Sequence, residues 1–220
     1  MSEKTLKGII DEIVDDAFKR VEYAYRHNRE GKEKEDVRLS EKEIATRLIF
    51  PKYANKGTRI SEQELRFAFV EAFNAKTNND FFYSIETPTA KKYSDFSTNP
   101  QQVDNGRSAE FDMVIFKKVD KKLKRVCLIE FKAKSVDKID YWKDILKLIE
   151  DRKDSIYDKE EVLSYFINLF GSSNRDTIPT MKEKIQAFVN ERGYGNEKNI
   201  VIKYYVLGKA VDGFIALKDS

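Results

Sequence analysis

Residues 109–134 read AEFDMVIFKKVDKKLKRVCLIEFKAK, and this stretch decides the fold. It predicts two apolar strands, Phe111 to Lys117 and Arg125 to Ala133, joined by a polar turn at Asp120, Lys121 and Lys122. Met113, Val114, Ile115 and Phe116 in the first, and Val126, Cys127, Leu128, Ile129 and Phe131 in the second, are apolar on both faces of a strand. Such strands belong in the middle of a covered sheet. Asp112, Glu130 and Lys132 break the pattern.

With the hairpin centred on Lys121, cross-strand partners have numbers summing to 242. Phe116 then faces Val126, Val114 faces Leu128 and Asp112 faces Glu130, with Lys132 on the same side two residues on. Directly opposed side chains have Cβ atoms about 4.5–5.5 Å apart, where like charges repel. Two carboxylates that close in a half-buried sheet need a cation between them or a proton on one. Oxygen-only ligands of this kind suit Mg²⁺ or Mn²⁺.

Asp112, seventeen intervening residues, then Glu130-Phe131-Lys132 resembles the signature of the PD-(D/E)xK nuclease superfamily, with Phe111 at the proline of that name. The resemblance covers roughly Ser61 to Lys134 and a helix after it. It implies that Asp112, Glu130 and the Phe131 backbone carbonyl bind Mg²⁺, and that Lys132 positions or activates the attacking water. It also implies that a helix before the first strand supplies an acid, for which Glu64 is preferred over Glu71. The helix after the hairpin flanks the site in that family and can add a basic side chain, Lys134 and Lys138 being nearest. Without the resemblance, the bland alternative is an edge hairpin whose three ionisable residues face water.

Composition narrows the classes. The 220 residues fit one domain, or one domain with a helical appendage. Lys and Arg number 41 against 38 Asp and Glu, so a net charge of +3 does not by itself identify a nucleic-acid binder. No run of 18 apolar residues and no apolar N-terminal segment is present, so neither a membrane span nor a signal peptide is expected. The lone Cys127 excludes an intrachain disulfide or Cys-rich zinc site and suggests a reducing, cytoplasmic setting. The lone His27, read as a solvated helix-end residue, leaves no His-paired metal site or Ser-His-Asp apparatus. Any hydrolysis here must rest on carboxylates, lysine and metal.

Along the chain, three- and four-residue apolar steps predict a long helix over 4–27, followed by a charged connector over 26–38. Residues 1–39 are therefore set apart from a nuclease-like domain over 40–220. Capping boxes at Ser40/Glu43 and Ser61/Glu64 open two further helices. Phe81 to Glu86 reads as a strand stopped at Thr87-Pro88, and Thr89 to Ser108 as a long polar loop. Glu86 is a lesser candidate for the metal, and Arg107 and Ser108 are candidates to hold a phosphate, as is Lys134. Helices are expected over 139–149, 159–170 and 180–192, then strands over 199–207 and 213–217.

The expected architecture is an α/β three-layer sandwich, a mixed central sheet flanked by helices, with a restriction-endonuclease-like core. The expected activity is Mg²⁺-dependent phosphodiester hydrolysis, first of all in DNA. The family adds a restriction or phage-defence setting, and double-strand cutting favours a homodimer or partner protein. The rival classes are a non-catalytic nucleic-acid-binding or structural subunit that retains the fold, and a metal-dependent phosphatase or nucleotide hydrolase.

Overall fold

The computed structural model describes residues 5–30, 46–54, 57–94, 103–133, 138–157, 162–171, 200–208 and 212–216, with positions 183, 187 and 190–191; side chains of 138–142 and 212–216 are not described. The elements are α1 (Leu6–His27), α2 (Glu62–Lys76), β1 (Phe81–Tyr93), β2 (Arg107–Val119), β3 (Lys122–Ala133), α3 (Lys138–Asp151), β4 (Leu163–Phe170), β5 (Ile200–Val206) and β6 (Asp212–Ala216). The six strands form one sheet in the order β1-β2-β3-β4-β5-β6. β3, β4 and β5 run parallel, and the remaining neighbours are antiparallel.

Helices cover both faces. On one, Ile10, Ile13 and Phe18 of α1 and Leu65 and Phe69 of α2 share a core with Met113, Ile115, Ile129 and Phe131. On the other, Ile145, Leu148 and Ile149 of α3 pack with Val114, Leu128, Phe166 and Ile202. The hairpin strands are thus apolar on both sides because both sides are covered, as a buried sheet requires. The long first helix starts on Thr5, whose hydroxyl accepts from the Gly8 amide, and it belongs to the same core as α2 and the sheet. α2 starts on the expected capping box of Ser61 and Glu64.

The hairpin register is as expected over three pairs, Met113 with Ile129, Val114 with Leu128 and Ile115 with Cys127, but the pairing ends at Met113 and the expected pair of Asp112 with Glu130 is not formed. Nearer the tip the register shifts by one, so Phe116 faces Arg125, not Val126. The shift lets the chain turn through just two residues, Asp120 (φ 49) and Lys121 (φ 65), both left-handed as a type I′ turn demands.

Two expectations are corrected. Residues 163–170, most of the helix expected over 159–170, form strand β4. LSYFINLF sends Tyr165, Ile167 and Leu169 to one core and Phe166 to the other, so its continuous apolarity is that of a central parallel strand. Likewise, β1 runs on through Thr87 and Pro88 to Tyr93, which shortens the loop expected over 89–108. Proline is tolerated because β1 is an edge strand, where a missing N–H costs no ladder bond. Its register on β2 shifts between Pro88 and Lys92, and the Asp151 carboxylate accepts from two of the three intervening amides, Ala90 at 3.0 Å and Lys91 at 2.8 Å. The helix expected from Ser40 lies mostly outside the described residues, as does most of the one over 180–192. No helix among the described residues is long and apolar enough to cross a membrane.

Candidate active site

Asp112 sits where β2 and β3 part. Phe111 shares the α3-side core with Val114, three residues on, so strict alternation breaks between them. One oxygen of Asp112, Oδ2, accepts the Phe131 amide at 2.7 Å. The other, Oδ1, accepts from Arg66 of α2 at 2.7 Å. Arg66 also lies 3.8 Å from Glu86, which stands opposite Asp112 on β1 with φ 47. A non-glycine residue held left-handed inside a strand marks a local kink at this point.

Glu130 points to the α3 side and is 2% exposed. Its Oε1 lies 2.6 Å from the Lys147 ammonium of α3. Lys147 also donates to the Glu110 carbonyl at 2.6 Å and to Asp144 at 3.2 Å. Lys132 lies 2.8 Å from the other oxygen of Asp144 and 3.6 Å from Glu62 of α2. The result is a compact alternating lattice. Glu62, Asp112, Glu130 and Asp144 supply four carboxylates, and Arg66, Lys132 and Lys147 supply three cations.

The protonation tendencies follow from that excess of acid. Burial pushes Glu130 well above the usual carboxylate range, Lys147 opposes the shift, and Asp144 and Asp112 reinforce it. Glu62 is raised too, first by burial, with Lys132 opposing and Asp112 and Asp144 adding to it. Burial alone would discharge the lysines, but Asp144 and its fellow acids hold Lys132 far into its ammonium form. Lys147 is held the same way, by Glu130 and Asp144. The cluster therefore favours either a proton on an acid or a further cation.

Of the expected site residues, Asp112, Glu130 and Lys132 lie in one charged cluster, coupled electrostatically but each held by a different partner, Arg66, Lys147 and Asp144. Glu64 does not join them. It is buried, pairs with Arg59 at 2.6 Å and closes the capping box with the Ser61 amide and hydroxyl. The α2 acid beside Lys132 is Glu62, two residues earlier. The other candidate, Glu71, pairs with Arg20 at 3.4 Å and ties α2 to α1. Arg107 and Ser108 are exposed at the start of β2, beside a hollow of about 560 Å³ bordered by Tyr93, Val103 and Gly106. They precede Asp112 by five and four residues, roughly 13–17 Å along the strand. Lys134 lies outside the described residues. Glu62, Arg66, Asp144 and Lys147 are the residues that sequence reasoning missed; the three-residue step from Asp144 to Lys147 beside an apolar helix face was the available signal.

Among the described residues no three His, Cys, Asp or Glu side chains converge closely enough to hold a metal ion as they stand. Comparison with protein-family models, with curated proteins and with solved structures found no match to the chain.

Proposed function

We propose that this chain is a divalent-metal-dependent nuclease of PD-(D/E)xK type, hydrolysing phosphodiester bonds, with DNA as its foremost substrate and a restriction-endonuclease-like core. The observation that carries the proposal is that Asp112 lies near enough to act electrostatically on both Glu130 and Lys132, where β2 and β3 part, in a cluster with more acid than base. The helix before β1 and the helix after β3 both send charged side chains there, the arrangement that the resemblance implies.

The donors are all oxygens, the chemistry of a hard cation, and the acids must draw together to hold one. Its ligands would be carboxylate oxygens of Asp112 and Glu130, the Phe131 carbonyl and Glu62, and burial has already made Glu130 and Glu62 reluctant to carry charge unaided. Mg²⁺ or Mn²⁺ would polarise the phosphate and stabilise the leaving oxygen. The chain's own groups do the rest. Lys132 is kept as an ammonium, so it positions the attacking water or a phosphate oxygen and does not take up a proton. The Phe131 amide fixes the angle of Asp112. Arg66 has a buried Nε with no acceptor among the described residues, a donor that suits a phosphate oxygen.

One observation favours a second reading, a non-catalytic module that keeps the fold. Both oxygens of Asp112 are engaged and Glu130 is ion-paired, so internal cations stand where a metal's charge would be. Cleavage of plasmid DNA, single-stranded DNA and RNA with Mg²⁺ or Mn²⁺ separates the two. The nuclease cuts, and Asp112→Ala and Lys132→Ala each lose about a hundredfold or more. If nothing is cut and Mn²⁺ calorimetry finds no site, the second reading stands.

A further inference from the structure

The β2–β3 hairpin tip carries a charge pattern that the site does not use. Residues 117–125, KKVDKKLKR, hold six cations and one acid. Without them the chain's net charge of +3 would be negative. Arg125 is occupied, donating to the Pro88 carbonyl at 3.0 Å and the Tyr157 hydroxyl at 2.9 Å. The other five, Lys117, Lys118, Lys121, Lys122 and Lys124, are exposed, and none makes an ion pair among the described residues; Lys117 stands 5.8 Å from the centre of the Phe81 ring.

This arrangement is unfavourable for the hairpin itself. Lys117 stands directly opposite Lys124, where like charges destabilise a strand pair. Lys121 occupies a left-handed position (φ 65) that glycine or asparagine fills more easily. A charge run on a solvated surface is ordinarily mixed with acids, and the only acid here is Asp120 at the turn. Beside the lysines stand exposed apolar groups, Leu123 at 55% and Phe82 of β1 at 42%.

We propose that this hairpin is a nucleic-acid docking arm, whose lysines, spread over both faces of the tip, bind backbone phosphates. β1 still pairs with β2 at Phe81 and Lys117, so the tip beyond Lys117 is the two-stranded part, and a ribbon of that width can meet the major groove of a duplex. Lys117 lies five residues past Asp112 on β2, roughly 17 Å at the strand's rise per residue. That span equals about five steps along a duplex, so an arm on the backbone leaves the carboxylate cluster over the same molecule. The choice of nucleic acid over another polyanion rests on the function proposed above; the lysine arrangement does not.

The test is fluorescence anisotropy with a labelled 20-base-pair duplex and a 20-nucleotide single strand, in EDTA so that no cleavage intervenes. Full-length wild type is compared with Lys117→Gln/Lys122→Gln/Lys124→Gln and with a control, Lys19→Gln/Lys76→Gln, altered on α1 and α2. Expected is a slope of log affinity against log salt of about −4.5 for wild type and about −1.8 for the triple variant on duplex. Affinity near 0.1 M salt should drop by at least about tenfold in the triple variant, with the control unchanged. Equal binding by wild type and triple variant overturns the proposal, as does binding to phosphatidylserine vesicles but to neither nucleic acid. Salt-dependent duplex binding by a wild type that cuts nothing with metal would remove the nuclease and leave the docking arm standing.

Discussion

Lys147 and Glu130 form a buried ion pair, 2.6 Å apart, that joins α3 to the central strand at the heart of the candidate site. Because Glu130 is raised, the folded protein holds a proton there over a pH range in which the unfolded chain, near its ordinary 4.5, has released it. The native state then binds more protons than the unfolded one, so this group makes stability fall as pH rises through that window. Glu130→Gln should flatten that fall, as urea unfolding from pH 4.5 to 8 in EDTA would record. Lys147→Met removes the cation that opposes the shift, at a cost of about 3–5 kcal/mol for a fully charged buried partner. Its penalty should be smaller at pH 5, where Glu130 can escape by staying protonated.

Metal binding should release protons. Both raised acids, Glu130 and Glu62, must ionise to serve as ligands, so Mn²⁺ affinity should increase with pH. Calorimetry at pH 6.5 in two buffers of different ionisation enthalpy reads this directly. A heat that is the same in both buffers would show that neither acid gives up a proton to the metal.

The turn offers a test of local strain. Lys121→Gly relieves a left-handed lysine and should stabilise the protein by about 1 kcal/mol, seen as a higher urea midpoint with an unchanged slope. If the docking arm is real, the same change removes one phosphate contact and lowers the salt slope by about 0.9. Stability and binding should therefore move in opposite directions.

Asp151, fully buried, accepts from the Ala90 and Lys91 amides and from the Tyr157 hydroxyl at 2.6 Å. It replaces the ladder bonds that the irregularity in β1 forfeits. Asp151→Ala should cost about 2–4 kcal/mol. Hydrogen exchange should accelerate first at Ala90 and Lys91, while the Met113 and Ile129 amides stay protected. Uniform acceleration would mean that Asp151 serves the whole core instead.

Much of this architecture is legible in the chain because its signals are local. The α1 stripe, the α2 capping box and the two-sided hairpin each lie within one element, and each forms about where periodicity places it. LSYFINLF misleads because an apolar run has the same look on a helix buried all round and on a strand between two layers. Pro88 misleads because its missing donor matters only if a neighbour strand needs it, and that depends on sheet order. The site divides the same way. Asp112, Glu130 and Lys132 stand out as the ionisable residues of one apolar hairpin, whereas Glu62, Arg66, Asp144 and Lys147 reach it from helices whose rotation only packing fixes. Glu64 drew attention through its motif, and that motif is what engages it.

The α1 helix is fastened to the far end of the chain. Asp11 meets the Tyr165 hydroxyl and Lys203, Phe18 stacks on Tyr205, and Glu22 accepts the Gly208 amide. On a ribosome adding about 5–20 residues per second, the 186 residues between Glu22 and Gly208 take roughly ten to forty seconds to emerge. Until then one side of α1, Phe18 included, waits on a nascent polypeptide for a strand not yet made. Such an interval invites chaperone capture, and α1 completes its packing only after translation of β5.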